Sequence, residues 1–113
     1  MFVRPVINVP LNHVCIEITG IQQAWVDKAP LFPEVFEKYQ QWLYDNIIKD
    51  STKTFCYVTC GDWDLKTMLP TQCQSSGVAA YPDYFKSWIN IKDLFNTRYK
   101  SKITGTKFIL LFF

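Results

Sequence analysis

Residues 62–64 read Asp-Trp-Asp, directly after the apolar-rich run "FCYVTC" and Gly61. An acid just past the C-terminal end of a strand stands in the ligand crevice of an open α/β sheet. Its oxygens suit a hard divalent cation such as Mg²⁺. Two such ions about 4 Å apart can drive phosphodiester hydrolysis by activating water and steadying the leaving oxygen. One carboxylate cannot hold both ions, so further acids must converge from other elements and a base must orient the water. The structural alternative asks for less. Asp62 is a good N-cap for a following helix, and Asp64 is favourable in its first turn, where the helix dipole stabilises an anion. Trp63 is equally two-sided. It is a core anchor, or a platform on which a base stacks for roughly 1–3 kcal/mol. Pattern alone leaves both readings open.

Other residues offer less chemistry. His13 is the only histidine and is expected at the edge of a core, on or beside the apolar face of a short helix. Asp27, Glu34, Glu37, Asp45 and Asp50 fall in helical or linker contexts, while Asp83 and Asp93 read as loop and capping acids. No serine occupies a nucleophile elbow, and neither a P-loop nor a dinucleotide fingerprint is present. Cys15, Cys56, Cys60 and Cys73 form no CxxC pair, so a structural zinc would need distant ligands. Free buried thiols in a reducing compartment are the simpler account, with Cys56 and Cys60 on one face of a strand.

The elements that must position these groups follow from spacing. "FVRPVINV" reads as an extended edge or arm, because Pro5 and Pro10 bar a central strand. "LNHVCIEI" carries apolar residues at 11, 14, 15 and 18, one helical face, and "GIQQAWVDKAP" holds another short helix. The clearest helix is "LFPEVFEKYQQWLYDNII". Leu31, Val35, Tyr39, Trp42 and Leu43 form its apolar stripe, joined by Phe32, Phe36 and Ile47. Residues 55–60 make the best strand. A helix is expected from about Asp62 to Gly77, kinked or broken at Pro70, with Gly77 as its C-cap. "WINIK" is a short strand and "DLFNTRYK" a helix. The closing "ITGTKFILLFF" is strand-like.

With 113 residues, 49% of them apolar and 17% aromatic, the chain suits one domain with a packed core. Its formal charge of +2 neither demands nor excludes nucleic acid. Lys92, Arg98, Lys100, Lys102 and Lys107 crowd the C-terminus and are expected to be solvated surface. No secretory pattern opens the chain, and its apolar end is far shorter than the about 20 residues of a membrane-spanning helix. An intracellular location is expected, in cytoplasm, nucleus or nucleolus. The element order fits an α/β layer arrangement, although two interior strands are few for such a sheet.

Four blocks in succession resemble a known family. They are "FVRPVIN", "ITGIQQAWVDKAPLF", "VTCGDWDLKTMLPTQCQ" and "YFKSWINIKDLF", together covering about residues 2–99. They resemble the DEDDh 3′→5′ exoribonucleases of the RNA-interference-enhancing and histone-mRNA 3′-end group, with the prion-interacting exonuclease the member most alike. The resemblance implies an α/β, ribonuclease H-like exonuclease fold. It implies Asp64 as the central catalytic and metal-ligand aspartate, with Asp62 as the helix cap beside it. Trp63, Ile18, Thr19, Gly20 and Ile21 match positions that line the terminal-nucleotide pocket, Ile18 standing where leucine is usual. The implied chemistry is two-metal attack of water on the last phosphodiester at an RNA 3′ end, with Mg²⁺ or Mn²⁺, releasing nucleoside 5′-monophosphates.

The departures set further expectations. The family's Asp-x-Glu strand should precede "FVRPV", and its catalytic histidine and last aspartate should follow Lys100; neither motif occurs. Residues 1–113 are therefore expected to be a partial exonuclease domain lacking the first core strands and the C-terminal catalytic helix, with an atypical apolar tail at 100–113. Such a chain would bind metal poorly by itself and hydrolyse RNA negligibly. The alternative is a catalytically dead module that binds RNA, or binds a protein through exposed sheet edges.

Overall fold

The structure, a computed structural model, describes residues 1–99. The apolar tail assigned to 100–113 lies outside the described residues. The chain divides into two compact units, Met1–Lys53 and Thr54–Phe113.

In the first unit residues 1–12 run as the expected arm. The Arg4 N–H donates to the Pro30 carbonyl at 2.9 Å, and Phe2 stacks on Trp25 with ring centroids 5.5 Å apart. Helix α1 spans His13–Thr19. Asn12 caps it by accepting from the Val14 N–H at 2.9 Å, and Gly20, at φ 71, ends it in the left-handed conformation that glycine adopts without strain. The apolar face expected on α1 is not covered: Val14 and Cys15 are exposed and Ile18 is 79% exposed. His13 is exposed too, a correction to its expected core-edge position. Helical spacing shows that apolar residues share a side, but not that anything packs against that side.

Helix α2, Gln23–Asp27, buries Val26. The Gln23 amide ties it to the arm by accepting from the Leu11 N–H at 2.6 Å. Helix α3, Phe32–Leu43, accepts Pro33 in its first turn, where an N–H would lack a partner anyway. It runs on through one wider, π-type turn at Tyr44–Ile48. There the Lys49 N–H reaches back five residues to the Tyr44 carbonyl at 3.0 Å. Phe36 and Leu43 are buried, and Phe32, Val35 and Ile47 half-buried. Leu31, Tyr39 and Trp42 of the expected stripe are exposed instead, the last two stacked on each other.

The second unit is built on two parallel strands, β1 (Tyr57–Thr59) and β2 (Trp88–Asn90), paired Tyr57 to Trp88, Val58 to Ile89 and Thr59 to Asn90. β1 is shorter than the run 55–60 that composition suggests. The two-residue alternation puts Tyr57, Thr59, Trp88 and Asn90 on a half-buried face and Val58 and Ile89 on an exposed one. Phe85, 3% exposed, is the centre of this unit. It stacks on Tyr57 at 5.3 Å and meets Tyr84 and Tyr81 edgewise or tilted, geometries that suit the aromatic quadrupole.

Between the strands the chain is helical from Asp64 to Ser75: a π-type turn at Asp64–Met68, then α4, Leu69–Ser75. The expected disturbance at Pro70 takes this form. Proline lacks an N–H and crowds the preceding turn, and here the Leu69 N–H just before it reaches back five residues to Asp64 rather than four. At the other end Gly77 adopts φ 72, and the Val78 N–H returns to the Cys73 carbonyl at 2.9 Å, closing the helix as a Schellman cap. A single 3₁₀ turn, Asp83–Lys86, leads into β2, and α5, Ile91–Tyr99, follows directly.

Of the four free cysteines only Cys73 is buried; Cys15 and Cys56 are exposed and Cys60 intermediate, which corrects the expectation of buried thiols. Burial also pushes the Cys73 thiol up from its ordinary range, so little thiolate forms there. Under native conditions Cys15 and Cys56 are expected to react fastest with a thiol reagent and Cys73 slowest, with Cys73 released by denaturant; mass spectrometry of timed labelling reads this. Phe85→Ala is expected to cost about 3–5 kcal/mol. Trp42→Ala, at an exposed site, is expected to cost about 0.5 kcal/mol. Urea unfolding followed by circular dichroism checks the contrast.

Candidate functional site

The site is assembled at the C-terminal ends of the two strands. β1 stops at Thr59, and Gly61 turns the chain at φ 109, a conformation L side chains rarely adopt. The Gly61 N–H donates to Asn90 Oδ1 at 3.0 Å. The same oxygen accepts from the Lys92 N–H at 3.1 Å, which makes Asn90 the cap of α5. On its other side the Asn90 amide donates to Asp62 Oδ1 at 3.2 Å and to Asp93 Oδ2 at 2.9 Å. The Trp88 indole N–H donates to Asp62 Oδ1 as well, at 2.9 Å.

Asp62 is therefore structural, but not as expected. Its backbone carbonyl accepts the first helical bond, from the Lys66 N–H at 2.8 Å. Its carboxylate turns away from the helix and serves β2. Two well-aimed side-chain donors outweigh an N-cap bond here, because hydrogen bonds to a charged group are the stronger kind. Asp62 thus joins residues 26 and 28 positions away in sequence.

Trp63 and Asp64 follow on the outside of this knot. Trp63 is 64% exposed, and Asp64 is exposed in the first helical turn, where the dipole favours its charge. The Asp64 carboxylate makes no hydrogen bond or ion pair among the described residues. The pair is presented to solvent together, an anionic group beside an open aromatic face. A separate open cleft of about 680 Å³, lined by Asp62, Lys66, Lys86, Trp88, Asn90 and Asp93 among others, lies on the β2 side and includes neither Trp63 nor Asp64.

Ile18, Thr19, Gly20 and Ile21 lie in the first unit and form one corner at the end of α1. Thr19 Oγ1 donates to the Cys15 carbonyl at 2.6 Å and accepts from the Ile21 N–H at 3.2 Å, so the turn is self-supported. Ile18 is exposed and Ile21 half-buried.

The described residues do not fit a two-ion centre. No group of three or more His, Cys, Asp or Glu among them could share a metal. Asp62 and Asp93 each give one oxygen to Asn90, and the same Asp62 oxygen also receives Trp88, whereas the Asp64 carboxylate makes no such bond among the described residues. Sequence reasoning missed Asn90 and Trp88. The signal for Asn90 was present: Asn at the end of a strand, with Asp three residues on and helix following, has the form of a capping box.

Comparison with known proteins agrees with this frame. The sequence profile of the RNase T exonuclease family matches residues 1–110, and the chain belongs to that family. Within it, the chain is a relative of the DEDDh-type 3′→5′ exoribonucleases, and its fold is a partial ribonuclease H-like exonuclease fold with a sparse, unclosed sheet. It is 45% identical over 96 residues to human ERI1 exoribonuclease 3, covering 85% of this chain and 28% of that protein. The nuclease domain of 3′hExo, a DEDDh family member solved bound to rAMP, superposes with a TM-score of 0.76 at 39% identity, over 88% of this chain and 48% of that one. A 3′-exonuclease solved in 3′-end-specific recognition of the histone mRNA stem-loop gives a TM-score of 0.74 at 39% identity, over 88% and 43%. The chain thus spans less than a third of the length of the curated relative and under half of each solved one. The catalytic ions of this family are Mg²⁺ or Mn²⁺. No helix among the described residues is long and apolar enough to cross a membrane.

Two substitutions separate the roles of the two aspartates. Asp62→Ala strands the Trp88 and Asn90 donors and is expected to lower stability by about 1.5–3 kcal/mol. Asp64→Ala is expected to change it by no more than about 0.5 kcal/mol. Equilibrium urea unfolding of the two variants beside the wild type makes the comparison.

Proposed function

We propose that this chain carries the central block of a Mg²⁺-dependent 3′→5′ exoribonuclease domain, with Asp64 as its metal-ligand carboxylate and Trp63 as the contact for the terminal base of RNA. The observation that carries the reading is the exposed Trp63–Asp64 pair at the end of β1, in a chain homologous to 3′→5′ exoribonucleases. Ile18, Thr19, Gly20 and Ile21 are proposed to complete the nucleotide pocket in the whole domain. Residues 1–113 are proposed as a partial domain, with 100–113 the segment that departs from the family. Its kinship within the group is proposed to lie with the prion-interacting exonuclease, and its location inside the cell.

The same proposal holds that the chain by itself hydrolyses RNA negligibly, since a two-ion centre needs several converging ligands and no group of three or more His, Cys, Asp or Glu among the described residues could hold even one ion. A second reading, an RNA-binding module without hydrolysis, draws support from the same pair: an open indole needs no metal to stack on a base. The uncovered Val58 and Ile89 on β1 and β2 are the reason to keep a protein partner for the sheet in view.

Purified chain incubated with Mg²⁺ and labelled RNA is expected to release no 5′-mononucleotides above background. Robust release that Asp64→Ala abolishes would overturn the inactivity. In a low-salt titration, Trp63→Ala is expected to weaken RNA binding about tenfold, within the roughly 1–3 kcal/mol that one stacked base contributes.

A further inference from the structure

We infer that Asn90 is a positioning residue, whose side-chain amide fixes the corner at residues 61–64 and so sets where Trp63 stands for a nucleotide. The inference rests on the reading of Trp63 as a base contact. Between the end of β1 and the first helical bond at Lys66, the corner is tied to β2 through the Asn90 and Trp88 side chains. Gly61 contributes no side chain of its own, and its φ of 109 gives it the least resistance to reorientation. Asn90 supplies what the corner lacks. Its oxygen receives the N–H groups on both sides of the knot, Gly61 from the end of β1 and Lys92 from α5. Its nitrogen bridges the carboxylates of Asp62 and Asp93 and keeps these two like charges apart.

The polarity of the amide is what matters. Aspartate at 90 keeps the acceptor, but its other oxygen faces two carboxylates and donates to neither. Leucine keeps the volume and loses all four bonds. An exchange of types with position 62 does not repair this, because Asp62 Oδ1 alone receives both the Trp88 indole and the Asn90 amide, and one atom of an asparagine there accepts or donates but cannot do both.

The test uses the full chain and a fluorescein-labelled oligoadenylate RNA at low salt with EDTA, at neutral pH. Asn90→Asp is expected to weaken binding about tenfold or more, the effect of losing charge-assisted hydrogen bonds. In the Trp63→Ala background the same change is expected to cost almost nothing further, because it acts through that indole. Asn90→Leu, which loses all four bonds and adds no charge that RNA would repel, is expected to weaken binding by a similar factor. Additive losses in the Trp63→Ala background, or full affinity in Asn90→Asp, overturn the inference. If Asn90→Asp does not fold, Asn90→Leu decides: a binding loss that disappears in the Trp63→Ala background supports the role, and full affinity or an additive loss overturns it. If the wild type binds no RNA, the functional reading of Trp63 falls, and amide hydrogen exchange then judges the positioning. Gly61 and Lys92 amides that exchange slowly in the wild type and quickly in Asn90→Leu support it; unchanged rates overturn it.

Discussion

The amide of Asn90 can accept twice and donate twice, and the fold uses all of that capacity. Its acceptor side gathers backbone N–H groups from the end of β1 and the start of α5. Its donor side holds two carboxylates that would otherwise repel. A neutral hydrogen bond contributes about 0.5–1.5 kcal/mol net, and one to a charged group about 1.5–3 kcal/mol. In a unit whose sheet has two short strands, that is a large share of what distinguishes one arrangement of the strand ends from another. Parallel strands of three residues make few ladder bonds, so the side-chain knot at their C-terminal ends does work that a longer sheet would do with its backbone.

The knot also explains why two aspartates, two positions apart, have different fates. Asp62 is drawn into the protein by the Trp88 indole and the Asn90 amide. Asp64, on the next helical step, meets no side-chain donor among the described residues and is exposed. Trp63 between them is carried outward with Asp64. The roles proposed for this outward pair rest on the family relationship. Without Asp62 turned inward, the corner would show two carboxylates to solvent instead of one.

Much of the framework was legible in the residues. The Pro33-led α3, the strand before Gly61, a short strand in "WINIK" and the helix behind it follow from spacing, propensity and the punctuation of glycine and proline, although Ile91 and Lys92 of "WINIK" belong to that helix and not to the strand. The disturbance near Pro70 was legible too, though not its form. What spacing did not reveal was burial. The apolar side of α1 and the Tyr39–Trp42 edge of α3 show the right periodicity, yet stand open, because periodicity records which residues align and not what lies opposite. The role of the Asp62 carboxylate was hidden for a related reason. Its donors come from Trp88 and Asn90, and no local rule for helix starts can weigh partners that arrive only when the second strand docks. The role proposed for Asp64 rests on kinship, and its exposure is what the structure adds.

The wider turn at Asp64–Met68 has a consequence for helical phase. Each residue of an α-helix advances the direction of its side chain by about 100°. A turn that closes over five residues instead of four holds one residue more than a regular turn, so the parts of the helix before and after it are out of step. Asp64 and Cys73 therefore take their directions independently of an unbroken α-helical count. The carboxylate end answers to the strand corner, and the cysteine end answers to the core. Removing one residue between them would restore a regular helix and leave every other side chain intact. It would also force one of the two ends to rotate away from the surface it now serves.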